Sequence, residues 1–353
     1  MEGRAGRAET FISDLHFPKQ EGEVSHLMFH LITAETLKRP LETPFSRAHH
    51  GTSNFVLFIL DVNTNLHSEP DTPRSQSAPS TSARTLLTFH TSTQHTLKTT
   101  VTAIHPFSAL EEANRALFKQ ATEEDHVVIT EATIFHPQGG GQPSDEGVMT
   151  SSDAEATNAE VSQFTVSSAR MDAIHDGRVL HLGRFAHPHS LFTPGTSVTQ
   201  TLDSAKRLLY SRLHTAGHVL GAAVRHLLEP SVPGFDELKA SHFPDSAACE
   251  FAGLIDGKHK AAIQEKVDAY VEKDMEVVVE FWDWEEFEKR GVHAPDRSLA
   301  PPGGKFRVVR IRDCEVYPCG GTHVASTREC GRTTVKKISR SKGTSRVSYT
   351  VEA

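Results

Sequence analysis

Apolar residues recur with two different periods along this chain, and the period changes near residue 203. Before that point the pattern is short and strand-like. Thr99-Thr100-Val101-Thr102-Ala103-Ile104 alternates polar and apolar side chains, the period of a pleated strand with one buried face. Val127-Val128-Ile129-Thr130, Gly147-Val148-Met149, Gln163-Phe164-Thr165-Val166 and Arg178-Val179-Leu180-His181-Leu182 come next, separated by turn-rich segments. Short strands between Gly and Asp turns predict a small β-barrel over 96–200.

From Asp203 the period is helical. Asp203-Ser204 caps a helix that runs to Leu228, where Glu229-Pro230 stops it. Ala248-Cys249-Glu250-Phe251 reads as a strand. Ile263, Val267, Tyr270 and Val271 line one face of a second helix over 260–274. Strands are expected at 277–282 and 306–311, with a short helix at 284–290 ending on Gly291. The tail predicts two strands, 333–338 and 345–351, joined by Ser341-Lys342-Gly343-Thr344 as a hairpin. This second half, 201–353, is α+β.

Residues 1–95 keep to neither period. Positions 68–82 read SEPDTPRSQSAPSTS, too polar to bury a core, so a largely disordered extension is expected. The strongest apolar run, 55–60, meets Asp61 at once and falls well short of the ~18 residues a membrane span needs. Residues 1–9 mix Arg with Glu and lead into no apolar segment, so no secretory signal is expected.

Composition narrows the partners. The chain has 353 residues, 23% charged and 37% hydrophobic, with a net charge of −8. That length suits two domains, and the acidic balance excludes chain-wide adhesion to nucleic acid. A local patch survives. Arg328, Arg332, Lys336, Lys337, Arg340, Lys342 and Arg346 face Glu329 alone between 328 and 346, which suits RNA phosphates. Lys206, Arg207 and Arg212 on the first helix extend it. Without a secretory signal the four cysteines are expected in a reducing, cytoplasmic setting, serving a metal or a core. No membrane partner is expected, and a monomer is the default.

One such cysteine belongs to a pattern. His214-Thr215-Ala216-Gly217-His218 places two imidazoles one helical turn apart on one face. Cys319-Gly320-Gly321-Thr322-His323 folds a thiolate and an imidazole together over two glycines. Alone, each pair is also read as ordinary core histidines or a turn with a buried cysteine. Together they supply three His and one Cys, a set that zinc accepts. Four protein ligands close a tetrahedral ion, whereas hydrolysis needs an open position. His323 is the candidate for the loosely held fourth ligand. Thr215 comes directly after His214, so the HExxH pattern with its adjacent Glu base is not met.

At these residues the sequence resembles the alanyl-tRNA editing family, which comprises the editing domain of alanyl-tRNA synthetases and its free-standing AlaX relatives. The two ligand pairs are similar to the family's two metal-binding motifs, in the same order. Phe135-His136-Pro137-Gln138-Gly139-Gly140-Gly141-Gln142-Pro143-Ser144-Asp145 resembles the glycine-rich motif of the barrel domain that precedes the editing domain. Gly304-Lys305-Phe306-Arg307-Val308-Val309 and Lys342-Gly343-Thr344-Ser345-Arg346-Val347 also match. The resemblance covers the chain from about residue 97 onward, and residues 1–95 match nothing.

The resemblance implies a barrel at 96–200 and then a two-layer α/β editing domain at 201–353, of the threonyl/alanyl-tRNA synthetase second-additional-domain type. It implies hydrolysis of the ester that joins serine or glycine to alanine tRNA, with zinc on His214, His218, Cys319 and His323 and the tRNA acceptor stem as partner. Gly139, Gly140 and Gly141 then flank the substrate, and Lys336, Lys337 and Arg340 meet phosphates. Thr215 and Thr322, beside ligands, and Gln142 and Asp145, after the glycines, are the catalytic candidates. For the two threonines, packing and loop hydrogen bonding is the competing role. In the family a polar residue on the strand after the helix reads the serine hydroxyl. Matching Lys239-Ala240-Ser241 puts Leu238 there, so Ser241 or His242 is the substitute. Two other readings compete: an alanine-tRNA ligase or a piece of one, and a zinc-stabilised tRNA-binding protein without catalysis.

Overall fold

A computed structural model of the chain describes residues 84–89, 94–151, 161–292, 294–295 and 304–352. The apolar run at 55–60 and nearly all of the extension expected to be disordered lie outside the described residues. The part of that extension within them is folded. Leu87 of strand β1 (Leu86–Leu87) and the fully buried Phe89 join one apolar core with Val101, Ile134 and Phe135.

The first half contains β2 (Thr96–Pro106), a single helical turn α1 (Glu112–Arg115), β3 (His126–Thr130), β4 (Ala132–Thr133), β5 (Gly147–Ser151), β6 (Gln163–Met171), β7 (Val179–Phe185) and β8 (Ser197–Leu202). β1 pairs in parallel with β4. Strands β2, β3, β7, β6, β5 and β8 close in that order into an antiparallel barrel. Closure leaves no edge to protect. Val101, Val128, Met149, Phe164, Val166 and Val198 fill the interior. The alternation expected on these strands holds. It did not announce β8, because one of its inward residues is Gln200, fully buried and bonded to Ile134 N at 2.9 Å and Thr130 Oγ1 at 3.2 Å.

The second half holds α2 (Ser204–Leu228), β9 (Asp236–Ser241), β10 (Ala248–Ala252), α3 (Lys260–Glu272), β11 (Val277–Trp282), α4 (Trp284–Arg290), β12 (Phe306–Ile311), β13 (Glu315–Pro318), β14 (Thr333–Ser341) and β15 (Thr344–Val351). The α+β content is as expected, and β13 is an addition to it. Asp203 caps α2 by accepting from Lys206 N, and Gly291 ends α4 at φ +66. Four antiparallel strands run in the order β14-β15-β10-β9, and three in the order β11-β12-β13. Helices α2 and α3 share one core with the larger sheet through Leu213, Leu220, Phe251, Ile263, Val267 and Val347. The β14–β15 turn is Lys342-Gly343, with φ of +48 and +83, the left-handed pair that tight hairpins require.

The barrel is tied to α2 by a buried ion pair. Arg207 meets Asp145 through Nη2 and, at 3.0 Å, through Nε. Arg207 Nη2 also donates to Ile134 O at 2.7 Å, and His136 N donates to Asp145 Oδ2 at 2.6 Å. The glycine-rich loop is thus clamped at its base.

Candidate metal centre

Helix α2 carries His214 and His218 on its buried face, and the loop after β13 carries Cys319 and His323. The four ligand atoms lie within 4.8 Å of one another, all buried. Cys319 Sγ stands 3.3 Å from His214 Nε2 and 3.4 Å from His323 Nε2. Gly321 permits this approach, because a Cβ there would collide with the His214 ring.

Second partners orient the rings. Gln142 Oε1 accepts from His214 Nδ1 at 2.7 Å and from Thr322 N at 2.9 Å. Gln142 Nε2 donates to Thr322 Oγ1 at 2.9 Å, which also meets Ser211 Oγ at 2.8 Å. Thr215 Oγ1 donates to Ser211 O at 2.9 Å. Its oxygen then accepts from His323 Nδ1 and Val324 N, both at 3.2 Å. His214 and His323 are thereby left with Nε2 unprotonated and turned toward the sulfur. His218 Nδ1 is buried with no hydrogen-bond partner.

Burial, reinforced by the neighbouring imidazoles, holds His214, His218 and His323 well below their ordinary pKa. All three are neutral and able to coordinate. Burial pushes the Cys319 thiol up, opposed by the Arg307 guanidinium and by Gly321 N. Arg307 is itself buried and drawn down to about 10 by desolvation, and its Nη1 donates to Cys319 O. The donor set and the fixed tautomers of His214 and His323 fit one metal ion.

A cavity of about 50 Å³ opens beside the quartet, room for roughly three to five water-sized groups. His214, His218 and Cys319 face it. His323, the expected loose ligand, does not line it and sits behind, held by Thr215. The glycine loop contributes Gly139 and Gly140, and β9 contributes Glu237, Lys239 and Ala240. Gly141 lies against Ala240 O, where a Cβ would collide, and takes φ +80. Thr215, Gln142, Asp145 and Thr322 are all buried and none lines the cavity. The first, second and fourth position the ligands, and Asp145 anchors the loop.

Ser241 also lies off the cavity wall, whereas its neighbour His242 lies on it. Leu238 is absent from the wall, which β9 reaches instead with Glu237, Lys239 and Ala240. A bulge opposite Glu250 and Phe251 pairs Lys239 with Glu250 but Glu237 with Phe251, so counting along the strand lands one residue off. Burial raises the Glu237 carboxyl, opposed by Arg225, whose Nη2 donates to it at 3.0 Å. His242 was one of the two expected substitutes after β9, whereas Glu237, Arg307, Tyr317 and Tyr349 were not assigned to the site from sequence patterns. They converge through sheet packing and carry no local motif. The one cue is Gly217, a residue without a side chain between two ligands.

The basic tail is less free than its composition implies. Arg328 pairs with Asp274, Arg332 with Glu352, Arg340 with Asp256 and Arg346 with Glu250. Lys336 and Lys337 on β14 are exposed, and Lys342 lies at its hairpin turn. On α2, Arg207 is buried in its pair with Asp145 and Lys206 bonds Glu146. Arg207 therefore does not extend a surface patch. No helix of the described residues is long and apolar enough to cross a membrane.

Comparison with known proteins places this geometry. Residues 306–348 match the second additional domain of threonyl and alanyl tRNA synthetases. The alanyl-tRNA editing protein AlaX-L of Pyrococcus horikoshii is 29% identical over 68% of this chain and 55% of its own length. Alanine–tRNA ligases of Methanothrix thermoacetophila and Synechococcus are each 29% identical over 60% and 62% of this chain. The chain spans about half of the editing protein, and 22% and 23% of those two ligases. With its motifs in order, its buried quartet and these relatives, the chain is related to the alanyl-tRNA editing family.

Proposed function

We propose that the chain is a trans-editing hydrolase that releases serine or glycine wrongly esterified to alanine tRNA, with zinc held by His214, His218, Cys319 and His323. The observation that carries the reading is the buried quartet opening on a small cavity beside the glycine loop. Around a tetrahedral zinc with ligands at ~2.3 Å (S) and ~2.0 Å (N), a sulfur–nitrogen edge is about 3.5 Å. The two edges at 3.3 and 3.4 Å support that ion. On this reading residues 96–200 form the barrel domain and 201–353 the two-layer editing domain, of the second-additional-domain type.

When bound, zinc supplies a Lewis acid that polarises an ester carbonyl or lowers the pKa of a water. The chain's own residues do the rest. Gln142 and Thr215 fix the tautomers of His214 and His323, and Thr322 braces Gln142. Arg307 favours the thiolate of Cys319. Gly139 and Gly140 form the wall along which the aminoacyl end lies, and the cavity excludes bulk water from the ester. An aminoacyl ester is already activated, so positioning and charge stabilisation suffice without a strong acid for the leaving ribose hydroxyl. Lys336, Lys337 and Arg340 meet acceptor-stem phosphates.

The test is release of serine from serine-charged alanine tRNA. Hydrolysis that disappears on chelation, returns with zinc and is lost in Cys319→Ala supports the reading. Hydrolysis unchanged by both treatments defeats the zinc assignment, and alanine-dependent ATP exchange points to a ligase instead.

A further inference from the structure

Residues 84–89 belong to the stretch whose sequence carries no period, yet they are strapped to the barrel on two sides. On one side Thr85 N donates to Gly177 O at 2.9 Å, and Thr85 Oγ1 accepts from Val179 N at 3.2 Å. Arg84 pairs with Asp176 there. On the other side Leu86 N donates to Glu131 O at 2.7 Å and Thr88 N to Thr133 O at 2.9 Å. Phe89 follows at once, so its backbone is fixed by its neighbours.

The strap delivers this one side chain to the metal site. Its partner strand β4 runs on through Ile134 and Phe135 to His136. The Phe89 ring meets the His136 ring edge to face, with centroids 5.1 Å apart and planes 81° apart. Both residues line the cavity beside Gly139 and Gly140. The glycine motif and the second half of the chain supply the rest of the wall, so Phe89 is the strap's own contribution. Phe89 is 0% exposed. With its faces covered it offers no platform for a base to stack on, and the ring acts by filling space.

We propose that Phe89 sets the largest amino acid that the cavity admits, which makes it a specificity-determining residue; this rests on the hydrolase reading above. On that reading the aminoacyl end lies along Gly139 and Gly140, next to Phe89 and His136. A cavity of about 50 Å³ takes roughly three to five water-sized groups. Serine beyond its ester carbonyl consists of Cα, the amine nitrogen, Cβ and Oγ, which fit that space. Leucine exceeds it. The ring cannot retreat from a larger side chain, because it is packed in one core with Leu87, Val101, Ile134 and Phe135, and such cores resist added volume. Deleting a buried ring leaves a hole, since the surroundings relax only in part, and an emptied apolar site of this kind takes up apolar molecules.

The experiment uses the full, zinc-loaded chain on alanine tRNA charged with serine or with leucine. The wild-type chain is expected to release leucine about tenfold or more slower than serine. Phe89→Ala is expected to raise leucine release about tenfold, while serine release stays level or falls. Phe89→Leu opens less space, gives a smaller gain, and carries the test if the alanine variant does not fold. Leu87→Ala weakens the same core away from the wall and is expected to leave the ratio of the two rates unchanged. Lost stability lowers both rates together, so a gain on leucine alone marks a wall residue. A ratio unchanged in both Phe89 variants, a ratio shifted as far by Leu87→Ala, or a wild-type chain that releases both amino acids equally fast overturns the role of Phe89 and leaves the hydrolase reading standing. A wild-type chain that releases neither overturns both.

Discussion

Two buried histidines, one in each half of the molecule, are treated in opposite ways. In the barrel, His181 has both ring nitrogens engaged, Nε2 with Thr133 Oγ1 at 2.7 Å and Nδ1 with Val128 O at 2.9 Å. Burial brings it down to about 4, and the neutral ring is a packing element with its bonds closed. In the second half, His218 is also buried and neutral, and its Nδ1 has no partner. The glutamines repeat the contrast. Gln200 bonds only within the barrel, whereas Gln142 leaves the barrel loop to hold His214 and Thr322. A buried polar atom without a partner costs about 1–3 kcal/mol. His181, with both nitrogens engaged, is scaffold, whereas His218, one of four mutually close buried donors, stands where something from outside the chain belongs.

The sharpest way to break this comparison is to cut the link between the halves. Asp145→Ala strands the Arg207 guanidinium in the interior, and loss of one partner of such a pair costs about 3–5 kcal/mol. Urea unfolding of the variant measures it. The histidines come next. His218→Ala is expected to remove about 2–4 kcal/mol of zinc affinity, roughly a quarter of what a four-ligand site supplies. His181→Ala is expected to cost about 1–3 kcal/mol of folding stability and to leave zinc content unchanged. Metal titration and denaturation on both variants give a two-by-two result, and a zinc loss in His181→Ala would erase the distinction. Gln142→Ala removes the acceptor of His214 Nδ1 and is expected to weaken zinc about 10–100-fold, read by competition with a chelator.

The smallest effect is a proton count. The three imidazoles are depressed and already neutral at pH 7, while the Cys319 thiol is raised and still protonated there. Zinc uptake at pH 7 should therefore release about one proton, and affinity should fall as pH drops. Calorimetry in buffers of different ionisation heat measures it. Release of two or more protons would mean that a site imidazole is charged before the ion arrives.

Much of the architecture was legible where one face of an element is uniformly apolar. The barrel strands, α2, α3 and the terminal hairpin all stem from period and turn chemistry. Strand β8 was hidden because its inward face includes Gln200, and the folded segment around Phe89 because two short stretches next to a Ser/Pro tract carry no period. At the site, the ligand pairs were readable since each is local, four residues apart on one helix or one loop. The walls were not. Whether Glu237 or Leu238 faces the cavity depends on a one-residue bulge against β10, and the ring of His242 is held by Tyr349, more than a hundred residues away. Thr215, Gln142 and Thr322 were picked by their neighbours in sequence, but which layer each occupies is set by packing between the halves.

The clamp that Asp145 and Gln142 form on the second half has a consequence for synthesis. The barrel and its glycine loop leave the ribosome before α2, α2 comes next with half of the ligands, and Cys319 and His323 follow about a hundred residues later. Domains generally fold in the order in which they appear, so the acceptor for His214 is in position before the sulfur exists. The ion is then a late arrival, and the nascent chain passes through a stage with His214 already turned by Gln142 and nothing yet to complete its coordination.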